Sequence, residues 1–268
     1  MAKILALCIV AAAVAAGLTA AATEEAVVNC TRVDVVCGNG KVLKRSFYYE
    51  GSAKTLISRT ANADVTLIKD RHVTWEVDEG YARQLRLDVR QIPLFNKIVR
   101  VHAVASDKNG NRVDDLKAIH CPKGLTCPHR VTISMRRINR LYHYGSGSVQ
   151  SAYRWYTANF RSHNYGTGLV SLSLKASNQA YLKAYAGGYN LTGEVPDLGM
   201  TQQSEQVLDL TNLKLDSAFP YPPRGAVLLD VTDKLKVHFR TPGSVGYRGA
   251  ANVTYNNIPG GKVYKIKN

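Results

Sequence analysis

Apolar and polar residues alternate with a period of two along most of the chain. Arg71, Val73, Trp75 and Val77 alternate with His72, Thr74, Glu76 and Asp78. Leu85, Leu87 and Val89 alternate with Arg86, Asp88 and Arg90, and Val99, Val101, Ala103 and Ala105 follow the same rule. So do Val131, Ile133 and Met135, then Val170, Leu172 and Leu174, then Leu235, Val237 and Phe239 against Lys234, Lys236, His238 and Arg240. Each segment reads as a strand with one dry and one wet face. Strands of this kind are expected in antiparallel sheets, where one face meets water. Val149, Ala152, Tyr153 and Tyr156 have helical spacing and predict one short helix.

Turn signals punctuate these strands. Asp107-Lys108-Asn109-Gly110-Asn111 reads as a hairpin, because Asn-Gly tolerates the positive φ of tight hairpin turns. Gly187-Gly188, Pro220 to Pro223 and Pro242-Gly243 break the chain further on, and Pro259-Gly260-Gly261 precedes a final strand near residues 262–267. Many short strands with turns between them predict an all-β, antiparallel β-sandwich architecture. The run Gly145-Ser146-Gly147-Ser148 interrupts the pattern, so residues 145–150 read as a linker between two consecutive sandwich domains, 23–144 and 151–268, with one larger sandwich as the alternative. No internal repeat relates the two halves.

The N-terminus changes the compartment. Lys3 precedes an apolar run over residues 4–18, and Ala20, Ala21 and Ala22 supply small residues for cleavage. Residues 1–22 therefore read as a signal peptide rather than a membrane anchor, and no later stretch approaches a membrane span. The expected localisation is secreted and extracellular. Of five cysteines, Cys8 leaves with the leader; Cys30, Cys37, Cys121 and Cys127 remain as an even set, all before the linker, expected to form two disulfides whose connectivity the sequence leaves open. Acceptor sequons at Asn190 and Asn252 predict a glycoprotein; a third, at Asn29, has Cys30 as its middle residue.

Charge points to partners. The chain carries a formal net charge of +15, which becomes +14 when Lys3 is removed with the leader. Such an excess attracts acidic surfaces. Arg136, Arg137 and Arg140 form one basic cluster, and Lys262, Lys265 and Lys267 another. The stretch from Arg140 to Tyr165 interleaves Tyr142, Tyr144, Tyr153, Trp155, Tyr156 and Phe160 with Arg154 and Arg161. Aromatic faces stack on sugar rings, and guanidinium groups pair with sulfate or carboxylate. Tyr142, Tyr144, Trp155 and Tyr156 are the expected aromatic surface, against the plainer reading that these rings fill a core.

Candidate chemistry is thin. No Gly-x-Ser-x-Gly elbow is present. His120, Cys121, Cys127 and His129 could ligate zinc, but in an oxidising compartment the thiols are expected to be bridged. Asp107, Asn109, Asn111, Asp114 and Asp115 offer oxygen ligands without EF-hand spacing, and a plain turn explains them. Neither cofactor nor metal is expected, and no recognition motif points to nucleic acid. The sequence thus favours a secreted, non-catalytic structural or adhesive protein that binds acidic glycans or other anionic extracellular surfaces. The alternatives are a polysaccharide-acting enzyme on a β-sandwich, whose acid pair would come from distant strands, and a soluble recognition module.

Overall fold

The computed structural model describes residues 42–48, 54–59, 64–68, 72–78, 85–91, 98–106, 112–113, 129–135, 137–221 and 224–267. The described strands before residue 145 are β1 (Val42–Tyr48), β2 (Thr55–Arg59), β3 (Asp64–Ile68), β4 (His72–Asp78), β5 (Leu85–Gln91), β6 (Ile98–Ser106), β7 (Arg112–Val113), β8 (His129–Ser134) and β9 (Arg140–His143). Five long strands follow: β10 (Val149–Asn164), β11 (Val170–Ala184), β12 (Tyr189–Gln202), β13 (Val207–Pro220) and β14 (Ala226–Val237). Three shorter ones end the chain: β15 (Gly243–Arg248), β16 (Asn252–Tyr255) and β17 (Gly261–Lys265).

From β9 onward these strands pair in parallel and wind into a β-solenoid. Val149 pairs with Val170, Val170 with Tyr189, Val207 with Ala226 and Gly243 with Gly261, so successive rungs are offset by 18 to 21 residues. This overturns the antiparallel β-sandwich that the alternation suggested. Alternation reports that one face of a strand is dry; it does not report the direction of the neighbour. Parallel sheets are ordinarily covered on both faces and read as continuous apolar runs. In a solenoid the sheet closes around its own interior, so a parallel strand keeps a wet outer face and an alternating sequence. Antiparallel ladders do occur among the described strands, between β1 and β4, β4 and β8, β5 and β6, and β6 and β7.

The long strands bend without ending. In β10 the register shifts between Gln150 and Arg154 and again between Thr157 and Asn159, and matching shifts lie at Lys175/Gln179 in β11 and Leu210/Lys214 in β13. Bulges of this kind kink a strand while preserving its pairing, so each rung has a first side and a second side joined at a corner. The helix expected at Val149 to Tyr156 is instead the start of β10. At the equivalent corner of β12, Gly193 takes φ +120 and a Cβ there would stand 1.9 Å from the Leu174 carbonyl oxygen, so only glycine fits. The last full rung is split: β14 pairs with β15 through Ala226–Asp230 and with β16 through Lys234–Val237.

The core lies between the two sides. Inward positions recur rung by rung as Leu172 and Leu174, Leu191 and Val195, Leu213 and Leu215, Leu229 and Val231, with Leu182, Leu198, Ala218 and Leu235 facing them, all buried. The run Gly145 to Ser148, read from the sequence as a linker, forms a corner between β9 and β10, and β10 pairs in parallel with both β3 and β9. Two further corners repeat it: Tyr144-Gly145-Ser146-Gly147 is followed by Tyr165-Gly166-Thr167-Gly168 and then by Tyr185-Ala186-Gly187-Gly188. The corner backbones stack directly, since a Cβ on Gly168 would meet the Gly147 carbonyl oxygen at 1.9 Å. Polar side chains tie these corners from inside. Buried Asn164 donates through Nδ2 to the carbonyls of Gly168 at 2.7 Å and Gly188 at 3.1 Å. His143 bonds the Gly147 carbonyl at 2.9 Å, and Gln202 bonds that of Gln206.

Candidate functional site

In a parallel, in-register solenoid, a residue type that recurs at one rung position becomes a column with the inter-strand spacing of about 4.8 Å. The second side carries three such columns of basic and aromatic character. In the first, Arg140 lies beside Arg161, Arg161 beside Tyr181, and Tyr181 beside Gly199. In the second, Tyr142 lies beside His163, His163 beside Lys183, and Lys183 beside Thr201. The third runs along the repeated corner. Tyr144 and Tyr165 stack with ring centroids 4.6 Å apart, Tyr165 and Tyr185 stack at 4.5 Å, and the Arg59 guanidinium caps Tyr144 at 4.5 Å. Stacking follows from the winding, because the ring spacing is nearly the rung spacing.

The columns contact one another. His163 meets Tyr142 edge-on at 5.1 Å, Tyr165 at 5.7 Å and Tyr181 at 6.1 Å, and its Nδ1 shares a hydrogen bond with the Tyr165 hydroxyl at 3.0 Å. Burial, then the positive charges of Lys183 and Arg161, push the His163 pKa down to about 4. Burial and the neighbouring Tyr185 and Tyr144 push the Tyr165 pKa up to about 12. His163 and Tyr165 are therefore uncharged at neutral pH, and Arg140, Arg161 and Lys183 supply positive charge on this side. The Arg161 guanidinium stands 5.5 Å from the Tyr181 ring centroid.

A groove of about 390 Å³ opens on this side. Phe160 and Tyr181 line it together with Arg140, Arg161, Asn139, Asn159 and Gln179. No lining residue carries a carboxylate.

The corner at the far end of the first side is built oppositely. Lys175 lies beside Glu194, Glu194 beside Lys214, Lys214 beside Asp230 and Asp230 beside Arg248, so the charges alternate in sign. Glu194 is bridged by Lys175 at 2.8 Å and Arg154 at 3.1 Å, and Arg248 bridges Asp230 at 3.0 Å. The hydrogen bonds from Lys175 and Arg154 hold the Glu194 carboxyl below its usual range. Among the described residues, Arg140, Arg161 and Lys183 have no such acid partner.

The residues singled out from the sequence are scattered by this geometry. Arg140 is on the basic side, and Arg137 is exposed just before it. Arg136 lies outside the described residues, as do residues 1–22, Cys30, Cys37, Cys121, Cys127, the Asn29 sequon and the 107–111 turn, although Ser106 and Arg112 on either side of that turn are paired. Lys262, Lys265 and Lys267 are exposed, but β17 is the last rung and pairs with the first-side strand β15. From β9, which carries Arg140, to β17 is seven inter-strand steps, roughly 34 Å, so the two basic clusters do not form one surface. Asn190 and Asn252 are exposed on β12 and β16. Tyr142 and Tyr144 belong to the basic side. Trp155 does not belong to any surface: it is 2% exposed, and its Nε1 donates to the Ser151 hydroxyl. Tyr156 is exposed, but it lies beside Lys175 on the salt-bridged corner. Sequence reading missed His163, Tyr181, Lys183, Tyr185 and the three amides. The signal that could have found the ladder is the Tyr-Gly-x-Gly repeat. Among the described residues, no group of three or more His, Cys, Asp or Glu side chains is placed to hold a metal ion.

The winding and the corner ladders place the chain in the class of parallel β-solenoids. No protein-family model and no curated protein matches the sequence. Solved structures do resemble the fold. A candidate adhesin of Bacteroides fragilis NCTC 9343 superposes with a TM-score of 0.64 at 14% identity, covering 87% of this chain and 99% of its own. A candidate adhesin of Parabacteroides merdae ATCC 43184 gives 0.57 at 17% identity, with 87% and 100% covered. A candidate lipid-binding protein of Parabacteroides distasonis ATCC 8503 gives 0.54 at 13% identity, with the same coverage. At these identities the likeness is one of fold.

Proposed function

We propose that this protein is a secreted, non-catalytic binding protein of adhesive type, which attaches to acidic, glycan-bearing surfaces through the second side of its solenoid. The observation that carries the reading is the contrast between the two kinds of charged column. Where the chain uses charge for its own cohesion, Lys175, Glu194, Lys214, Asp230 and Arg248 alternate in sign. On the second side, Arg140 and Arg161 are neighbours of like sign beside a tyrosine ladder. Guanidinium groups with no acid partner among the described residues, next to partly exposed rings, suit anionic sugars. The basic excess of the whole chain and the candidate-adhesin descriptions of two fold neighbours are in keeping with this.

The test is retention of the full chain on immobilised heparin against a cation exchanger of similar charge density. Arg140→Ala combined with Arg161→Ala should lower the salt needed for elution from heparin more than from the exchanger. Lys175→Ala combined with Lys214→Ala removes as many charges from the compensated corner and should act alike on both resins. Equal effects of the two pairs on heparin would show that only net charge matters, and would overturn the reading.

A further inference from the structure

The groove beside Arg140 and Arg161 has an unusual balance of hydrogen-bonding groups. Two guanidinium groups donate and cannot accept. Asn159 has its carbonyl oxygen already engaged, accepting from Asn178 Nδ2 at 2.8 Å. Asn139 Oδ1 lies 3.1 Å from the Thr157 hydroxyl, whose single proton the Asn159 backbone carbonyl also takes, at 2.9 Å. Each amide keeps its N–H donors for a ligand, and its oxygen keeps one lone pair. The Tyr181 hydroxyl shares a hydrogen bond with Thr201 Oγ1 at 3.3 Å. Gln179 is the lining side chain whose amide oxygen has no partner among the described residues.

A neutral sugar is a poor match for such a lining. Each hydroxyl of a neutral sugar both donates and accepts, so such a sugar leaves the two positive charges of the groove uncompensated. A sulfate ester or a carboxylate only accepts, and it takes guanidinium forks in pairs. The half-buried Tyr181 ring supplies apolar surface for the sugar body. The volume is near the lower end of the usual range for ligand sites, about 300–1,000 Å³, which suits a short segment rather than a whole chain.

Resting on the binding reading above, we infer that this groove is the specificity-determining subsite of the second side, and that it takes one oxyanion-bearing sugar unit, a sulfated or a uronic acid residue, while rejecting neutral sugars. Arg140 and Arg161 hold the oxyanion, Asn139 and Asn159 donate to it or to ring substituents, and Tyr181 carries the ring. Lys262, Lys265 and Lys267, on and just after β17, do not line this groove.

Biolayer interferometry of the full chain at 0.15 M salt tests this with three polymers: dextran sulfate, which carries sulfate only, hyaluronan, which carries carboxylate only, and neutral dextran. Binding to either anionic polymer with none to dextran is expected, and which of the two binds names the oxyanion. Asn139→Ala with Asn159→Ala changes no charge, yet should weaken that binding about tenfold, the worth of two neutral hydrogen bonds. Lys262→Ala, Lys265→Ala and Lys267→Ala together should weaken it less than the loss of Arg140 and Arg161. Equal binding of dextran would overturn the inference. So would an Asn double variant that binds like the parent while the Arg variant does not; that result leaves the adhesive face standing and removes only the groove. If the Arg variant also binds like the parent, the face itself falls. A measurement on the unaltered protein guards against a misfolded variant. Saturation with the bound polymer should raise the NMR titration midpoint of His163, because an anion at Arg161 offsets one of the positive charges that now lower it. An unmoved midpoint would place the ligand elsewhere.

Discussion

Asn164 is the side chain on which the corner between β10 and β11 depends, and its removal has a cost that can be worked from the hydrogen bonds. Its Nδ2 serves two carbonyls from a fully buried position. They are not equivalent. The Gly188 carbonyl also accepts from the Val170 N–H at 3.1 Å, so it keeps a partner when Asn164 is gone. The Gly168 carbonyl loses the bond that Asn164 gives it. Losing one neutral bond costs about 1 kcal/mol, and orphaning a buried carbonyl costs about 2 kcal/mol. Against this, Oδ1 of Asn164 has no partner, and its removal returns about 1 kcal/mol. Asn164→Ala should therefore destabilise by about 2 kcal/mol. Asn164→Asp keeps the shape but turns the donor into a carboxylate facing two carbonyl oxygens. Its folded pKa must rise above the unfolded value of about 3.9. The folded state then binds the proton more tightly, so stability is highest below pH 4 and falls as pH rises through the raised folded pKa. Urea titration followed by the fluorescence of buried Trp155, at several pH values from 4 to 8, measures both. An Ala variant within about 0.5 kcal/mol of the parent, which is the ordinary scatter of surface substitutions, or an Asp variant whose penalty does not vary with pH, would refute the idea that this side chain ties the corner.

Two further outcomes follow from the same corner and the ladder beside it. Gly168→Ala should destabilise by about 1–3 kcal/mol through overpacking, because its Cβ would collide with the Gly147 carbonyl, whereas Gly188→Ala, whose Cβ would have its nearest neighbours at 3.5 Å, should be tolerated; equal thermal shifts would refute the stacked-corner account. His163, with a folded pKa near 4 against an ordinary 6.5, binds its proton more weakly folded than unfolded, so its contribution is complete above pH 6.5 and is lost as pH falls towards 4. His163→Gln should flatten that part of the pH–stability curve, and an unchanged slope would show that the imidazole is better solvated than its packing implies.

The strands were legible in the sequence, and their arrangement was not. Period-two segments coincide with β4, β5, β6, β8, β11 and β14, and the final turn precedes β17 as expected. The parallel winding escaped notice for two physical reasons. First, a closed solenoid gives a parallel strand the in-out pattern of a half-exposed antiparallel one. Second, the rung repeat is smeared, because the register offset varies between rungs and the corner signature decays: Tyr-Gly-x-Gly at Tyr144 and Tyr165 becomes Gln203-Ser204-Glu205 and then Tyr221-Pro222. The false helix at Val149 to Tyr156 has a local cause. The register shift between Gln150 and Arg154 leaves both Ala152 and Tyr153 exposed, and this break in alternation mimics a helical stripe. Trp155 was assigned to the surface by the company of Arg154 and Tyr156. Its place between an outward Arg and an outward Tyr is what alternation requires of an inward residue.

Columns of side chains also separate the charges that hold this fold together from those that do not. Neighbouring rungs bring equivalent residues about 4.8 Å apart, and like charges directly opposite in a sheet are destabilising. A solenoid under selection for stability alone would alternate its charges along each column. That is what the chain does from Lys175 to Arg248, with Glu194 and Asp230 each bridged by cations. The same rule is broken where Arg140 sits beside Arg161, and the Tyr181 ring next in that column softens the charge of Arg161 without neutralising it. Single exposed cations are common and say little. Two guanidinium groups in register raise the energy of the free protein at one place. An anion that binds there relieves the repulsion, and this local cost is what separates the groove from the more numerous but scattered lysines of the last rung.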